Sequence, residues 1–337
     1  MEKLKAGIIG LKGDGDGFLT ALAGNDRFSV VAVYDADKNL AAEKAADFDC
    51  QGYDDRRQLI IAEDLDVLLL ILPDYLCGEC LGEAAKKKIH VLKAAPAGRE
   101  LTECYQSIKM MAGQGAQYHI CTFKRFAPGY RFANQLLTGK AIGRIYLARA
   151  QKFYNFPDSL DFRGDLKLSG GGVLLNDGME MLDLITWNMG EPSQVYCQHS
   201  NFCAKRSLPP YLTEDTAAVL LDFPDGATAS LQCSWMTGVQ SENILFHGSE
   251  GSIQAGENYV KCYDVNGDLT EEENFDIDRQ QLIQRQLEHF ADGIIDPELP
   301  ALSKAEAQLL NLAIVQSAYL SAKTRMPESL KRYDALM

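Results

Sequence analysis

Along the first 120 residues the apolar positions come in short runs, each followed by a stretch with helical spacing. Ala6 to Gly10 reads as a strand, residues 10–17 are rich in glycine, and a helix starts at Phe18. Val30–Tyr34 is a second strand ending at Asp35, and Leu40–Phe48 a helix. Val67–Leu72 is apolar at every position, which predicts a central strand of a parallel sheet with both faces covered. A helix at Tyr75–Lys88, a strand at His90–Lys93, a helix at Glu100–Gly113 and a strand at Gln117–Thr122 continue the alternation. Strands alternating with helices predict a doubly wound parallel sheet.

After about residue 125 the period changes. Ile145–Phe153, Gln194–Gln198, Ala217–Phe223, Thr228–Ser234, Glu242–His247, Ser252–Ala255 and Tyr259–Asp264 read as strands, with Asp225-Gly226 as a hairpin turn. Few crossovers separate them, so the second sheet is expected to be open and largely antiparallel. Helices are expected at Arg279–Gly293 and Lys304–Lys323. A chain of 337 residues exceeds the size at which single cores stop growing. The expected fold class is therefore α/β. Residues 1–123 are expected to form the parallel-sheet domain and 124–337 an α+β domain, its C-terminal helices able to pack back on the first.

Composition narrows the function classes. The formal charge of −14 carries no basic stripe beyond Lys86-Lys87-Lys88, which argues against a nucleic-acid partner. No apolar run approaches membrane-spanning length, and nine scattered cysteines fit reduced thiols in a cytoplasm. Glycines after the first strand let backbone approach a pyrophosphate seated on a helix N-terminus, which selects Gly10, Leu11, Lys12 and Gly13. Asp35 ends the second strand where a carboxylate would bond ribose hydroxyls, and Asp37 would repel a 2′-phosphate; NAD is the expected cofactor. Asp14 and Asp16 sit awkwardly there unless they turn to solvent. Cys77-Gly78-Glu79-Cys80 has redox spacing but reads as two small buried helix residues. The five histidines are far apart, and no metal site is expected. Gly170-Gly171-Gly172 leads into Asn176, Asp177, Glu180 and Asp183, which is either a ligand-facing helix or a solvated acidic one.

Together these segments resemble the glucose–fructose oxidoreductase and inositol dehydrogenase (Gfo/Idh/MocA) family over nearly the whole chain. Ala6–Gly10 is similar to its first strand and Leu65-Asp66-Val67 through Leu72-Pro73 to its fourth. Gly139–Ile145 resembles its junction segment, Phe162-Arg163 with Asp165 and Ser169–Gly172 its loop before the substrate helix, and Gly248–Ser252 a sheet turn. Phe290 and Gln316-Ser317-Ala318 fit its last helices. The resemblance implies cofactor contacts at Leu72, Pro73 and Ala95, and substrate contacts at Lys124, Arg163, Asn176, Asp177 and Glu180.

The departures fall on the chemistry. Where the family reads E-K-P this chain reads Ala94-Ala95-Pro96, so Ala95 occupies the lysine position. The family's aspartate and histidine of D-x-G-x-H fall on Asn176 and Glu180, and the histidine of P-N-x-x-H on Cys77; Gly178 and Asp183 match. The Ala95–Pro96 bond is expected to be cis, as in the family. Hydride removal from a carbinol needs a base for the hydroxyl proton. Glu180 could serve, or Lys93, two residues and about 6.6 Å back along the same strand face; Asn176 stands beside them as the third candidate. Two functions follow. One is an NAD-dependent oxidoreductase acting on a polyol, sugar or related hydroxy compound. The other is a catalytically silent NAD- or sugar-binding regulatory protein. Either would be a cytoplasmic homodimer or homotetramer with a small-molecule ligand and no membrane partner.

Overall fold

The computed structural model describes residues 3–156, 160–202, 211–296 and 302–336. In chain order the first elements are β1 (Leu4–Ile9), α1 (Asp14–Ala23), β2 (Phe28–Tyr34), α2 (Lys38–Asp47), β3 (Gln51–Tyr53) and α3 (Arg56–Ala62). Then come β4 (Val67–Leu70), α4 (Cys77–Lys86), β5 (His90–Lys93), α5 (Leu101–Gly113) and β6 (Tyr118–Ile120). All six strands run parallel in the order β3-β2-β1-β4-β5-β6. The expected parallel, doubly wound sheet is present. β4 is buried at all four positions, as its unbroken apolar run requires. The short β3 and α3 have too little apolar periodicity to stand out in the sequence.

The next elements are α6 (Phe123–Phe126), α7 (Pro128–Thr138), β7 (Ile145–Asn155), α8 (Leu166–Ser169) and α9 (Met179–Met189). They lead into β8 (Gln194–Ser200), β9 (Thr216–Asp222), β10 (Thr228–Ser234), β11 (Met236–Gly248), β12 (Gly251–Ala255), β13 (Tyr259–Tyr263) and β14 (Leu269–Asn274). The chain closes with α10 (Arg279–Ile295), α11 (Ala307–Thr324) and β15 (Glu328–Ser329). The nine-stranded sheet is open and mostly antiparallel, with β7 and β10 its parallel pair. Period-two burial decides its faces: Ala217, Val219 and Leu221 of β9 are covered while Leu220 between them is 56% exposed. Among the described residues no helix is long and apolar enough to cross a membrane.

The chain divides into two compact units. One comprises 1–98, 102–123 and 278–307, and the other 99–101, 124–277 and 308–337. Thus α10 belongs with the parallel sheet, while α11 belongs with the open sheet.

Inside the first unit His119 of β6 is fully buried, edge-on to Phe290 at 5.0 Å. Its Nε2 faces Gln117 Oε1 and its Nδ1 faces Ser303 Oγ, both at 2.9 Å. An amide oxygen only accepts, so Nε2 carries the proton and Nδ1 accepts from the serine. Burial, then the nearby His289 and Lys304, push its pKa down to about 3. Above the unfolded value of 6.5 the ring is neutral in both states; between 6.5 and 3 only the unfolded chain takes up the proton. Stability should therefore fall as pH drops from about 6.5 towards 3. Melting curves across that range are expected to show a shallower fall in His119→Gln, although this variant starts less stable at neutral pH.

Candidate active site

The turn after β1 is shaped by what cannot fit beside it. Gly10 has φ +96°, and a Cβ there would lie 2.1 Å from the Ile71 carbonyl oxygen; a Cβ on Gly15 would lie 2.1 Å from the Gly10 oxygen. These are the first and third glycines of a dinucleotide fingerprint, the ones needed for the tight turn and for close helix–strand packing. Lys12 stands at the second, and Gly13, with φ +59° and open space around it, comes next. Asp35 is buried just beyond β2, its two carboxylate oxygens accepting the N–H groups of Leu11 (2.8 Å) and Asp37 (2.9 Å). Each oxygen keeps a second lone pair for a ribose hydroxyl. Asp37 caps α2 and lies 3.4 Å from the Lys12 ammonium. The Leu40 N–H, then Lys12, hold its carboxyl below the usual range. Asp14 is paired with Arg279, whose guanidinium lies 3.8 Å over the Phe123 ring, and Asp16 with Lys44. Both awkward carboxylates are thus compensated, and the cradle left open at Gly13 fits a pyrophosphate.

Two further loops leave the carboxyl edge of this sheet. Leu72 and Pro73 are half-buried after β4, and Ala95 is exposed after β5. The Ala95–Pro96 bond is cis, as expected. Lys93 is sequestered beneath the loop after β5: it is 2% exposed, pairs with Asp74, and donates to the carbonyls of Ala94 (3.0 Å) and Pro96 (2.6 Å). Burial alone would lower its pKa, but the Asp74 carboxylate outweighs that and holds it above the ordinary value. Surroundings that favour the ammonium disfavour Lys93 as a base. Cys77 and Cys80 are buried helix residues whose thiols burial pushes up to about 12 and about 11. They have the character expected of packing residues.

The open-sheet unit carries the denser polar group. A Cβ on Gly172 would lie 1.9 Å from the Glu214 carbonyl oxygen and one on Gly171 2.1 Å from the Tyr319 hydroxyl. The glycine run therefore lets the chain pack on β9's entry and on α11. Residues Leu174–Gly178 form a π-helical turn before α9, and Asn176 donates from it to the carbonyls of Gly171 and Gly172. Asn176 is thus a backbone hook. Asp177 accepts from Tyr154 (2.9 Å) and the Trp235 indole (2.6 Å) and lies 3.3 Å from Lys152. Glu180 pairs with Lys152 at 2.6 Å. Lys124 meets Glu242 and Glu257, and Glu242 lies 3.8 Å from Lys152. Burial opposes charge on both lysines, but Glu180 and Glu242 beside Lys124, and Glu180, Asp177 and Glu242 beside Lys152, hold both pKa values up. Two ammoniums face four carboxylates, and the glutamates are the more exposed: 23% for Glu180 and 26% for Glu242, against 8% for Lys124 and 12% for Lys152.

Arg125 and Asp183 are joined through Nε (2.6 Å) and Nη2 (2.7 Å), with Gln308 and Asn311 also on Asp183. Asp183 is thus committed to this buried anchor. Arg163 stacks on Phe156 and Phe162. Motif spacing does not single out Lys152 and Glu242. Their signal was register: 148, 150, 152 and 154 share a face of β7, and the first two are buried alanines. A lysine next on that face points under the sheet, opposite its ladder partner Glu242. Among the described residues no His, Cys, Asp and Glu group could hold a metal ion.

A Rossmann unit with an oriented carboxylate after its second strand, followed by an open-sheet unit with a charged cluster, defines a dinucleotide-linked oxidoreductase architecture. Residues 4–122 match the oxidoreductase family model with an NAD-binding Rossmann fold, and 130–254 match the GFO/IDH/MocA C-terminal domain. The chain belongs to the Gfo/Idh/MocA oxidoreductase family, and its cofactor is NAD. It is 24% identical over 254 residues to 2,7-anhydro-N-acetylneuraminate hydratase of Escherichia coli K12, covering 74% of this chain and 66% of that protein. A second relative, oxidoreductase YrbE of Bacillus subtilis, is 22% identical over 60% of this chain and 58% of its own. The chain therefore spans less than two thirds of the length of these curated relatives. Among solved structures, levoglucosan dehydrogenase in complex with NADH and levoglucosan superimposes with TM-score 0.89 at 18% identity, covering 98% and 100% of the two chains. An Agrobacterium radiobacter oxidoreductase in complex with NAD+, L-tartaric acid and magnesium gives 0.85 at 17% identity, covering 98% and 99%.

Asp35→Ala should weaken NADH binding by about tenfold or more, as expected for loss of a charge-assisted hydrogen bond. Fluorescence titration is also expected to show NADPH binding more weakly than NADH to the unmodified protein. Equal or tighter NADPH binding would refute the preference assigned to Asp35 and Asp37.

Proposed function

We propose that this protein is an NAD-dependent oxidoreductase for a neutral polyol or sugar, with Glu180 as proton acceptor and Lys152 as its electrostatic partner. Bound NAD+ supplies a hydride acceptor for a carbinol C–H. The hydroxyl proton then needs a home, and Ala95 cannot provide one. Glu180 is a partly exposed carboxylate able to take it. The Lys152 ammonium, 2.6 Å away, opposes the negative charge that develops on the substrate oxygen. This Lys152–Glu180 pair is the observation that carries the reading.

The substrate class follows from which groups face outward. Carboxylates only accept hydrogen bonds, and at this cluster they cover the ammoniums. A ligand rich in hydroxyl donors satisfies them, whereas a carboxylate-bearing ligand would meet like charge. The levoglucosan bound by one structural neighbour is a compound of the favoured kind. The exposed face of the open sheet, with Tyr146 at 54% and Leu220 at 56%, supports a homodimer or homotetramer.

A silent binding protein is the second reading, favoured by Ala95 and by the sequestration of Lys93. Initial rates with NAD+ and a panel of inositols, sugars and sugar acids, followed at the nicotinamide absorbance, separate the two. Neutral polyols should be oxidised faster than acids. Glu180→Gln and Lys152→Met should each lower kcat by about 10² to 10⁴ with NADH affinity retained. A protein that binds NADH and a polyol without any absorbance change would establish the silent reading instead.

A further inference from the structure

A dinucleotide lies across the carboxyl edge of a doubly wound sheet, its two halves on either side of the point where strand order reverses. Here that point is between β1 and β4. Asp35, after β2, therefore belongs to the adenosine half. The loops after β4 and β5, residues 71–76 and 94–97, lie on the nicotinamide side.

One buried cation joins those two loops. Lys93 is the last residue of β5, and its ammonium has three hydrogens to place. It pairs with Asp74 on the loop after β4 and donates to Ala94 and Pro96 on the loop after β5. Both partners are buried, with 2% and 7% of the side chains exposed. A desolvated pair of this kind is poor evidence for added stability, since apolar residues of similar size often do as well. What apolar residues cannot do is aim three directional contacts at two separate loops. The half-buried Leu72 and Pro73 and the exposed Ala95 sit on the segments so held.

We infer that the Lys93–Asp74 pair is a positioning device for the nicotinamide half of the cofactor. It sets the spacing of the loops after β4 and β5, and through them the platform for the ring, without touching the cofactor itself. The inference rests on cofactor binding and needs no turnover, so it stands or falls independently of the reaction proposed above.

The test uses the full chain and two ligands, NADH and ADP-ribose, which lacks the nicotinamide ring. Calorimetric titration of Lys93→Met and Asp74→Asn should show NADH affinity reduced by about tenfold or more, with ADP-ribose affinity within about twofold of the unmodified protein. Single variants separate a buried charge from its counter-ion and can fail to fold. Lys93→Met combined with Asp74→Leu removes both charges and keeps the measurement open; it should show the same selective loss together with a near-normal melting temperature. A purely structural role would weaken both ligands in parallel with the melting temperature. Parallel loss, or unchanged NADH affinity in the folded double variant, would overturn the inference.

Discussion

Lys93 carries a charge to a place water does not reach, and Asp74 has to be there to meet it. The same demand recurs in the other unit, where Lys152 is met by Glu180 and Asp177, Lys124 by Glu242 and Glu257, and Arg125 by Asp183. An isolated buried ion would neutralise itself or unfold its surroundings, so each cation dictates the position of an anion on a different element. In the first unit the requirement joins the loops after β4 and β5. In the second it joins β7, β11 and the helix that begins at Met179.

This pairing also limits the chemistry open to the chain. A lysine acts as a base only when its environment favours the neutral amine, as burial without a counter-ion does. Lys93, Lys124 and Lys152 all have counter-ions, and all are held charged. Surroundings of this kind disfavour all three as bases. Their value is electrostatic, and in the reaction proposed above the proton therefore goes to a carboxylate.

Much of the fold was legible because it rests on period and turn chemistry. The uniform run at β4, the glycines flanking the first turn, Asp35 at the end of β2 and the Asp225-Gly226 hairpin all announce themselves locally. The site was less legible because its partners are distant. Asp14 is reconciled with a phosphate-binding turn by Arg279, 265 residues away in sequence, and nothing near Asp14 hints at it. Asn176, Glu180 and Asp183 were grouped by helical spacing, yet the π-turn at Leu174–Gly178 and the Arg125 anchor give them three different jobs. Spacing places Lys93 and Ala95 on one strand face, but the burial of Lys93 beneath the loop is not visible from spacing alone.

Asn176 and Glu180 are each matched to the groups around them. An amide there donates to two backbone carbonyls, Gly171 and Gly172, which a carboxylate could only repel. Glu180, one turn on, places a negative charge where a histidine would be neutral or positive, and Lys152 on the neighbouring strand neutralises it. An aspartate at 176 would face carbonyl oxygens, and a histidine at 180 would leave Lys152 to Asp177 and Glu242. The Asn176 amide and the Glu180 carboxylate thus each suit the partners that surround them, backbone carbonyls for one and an ammonium for the other.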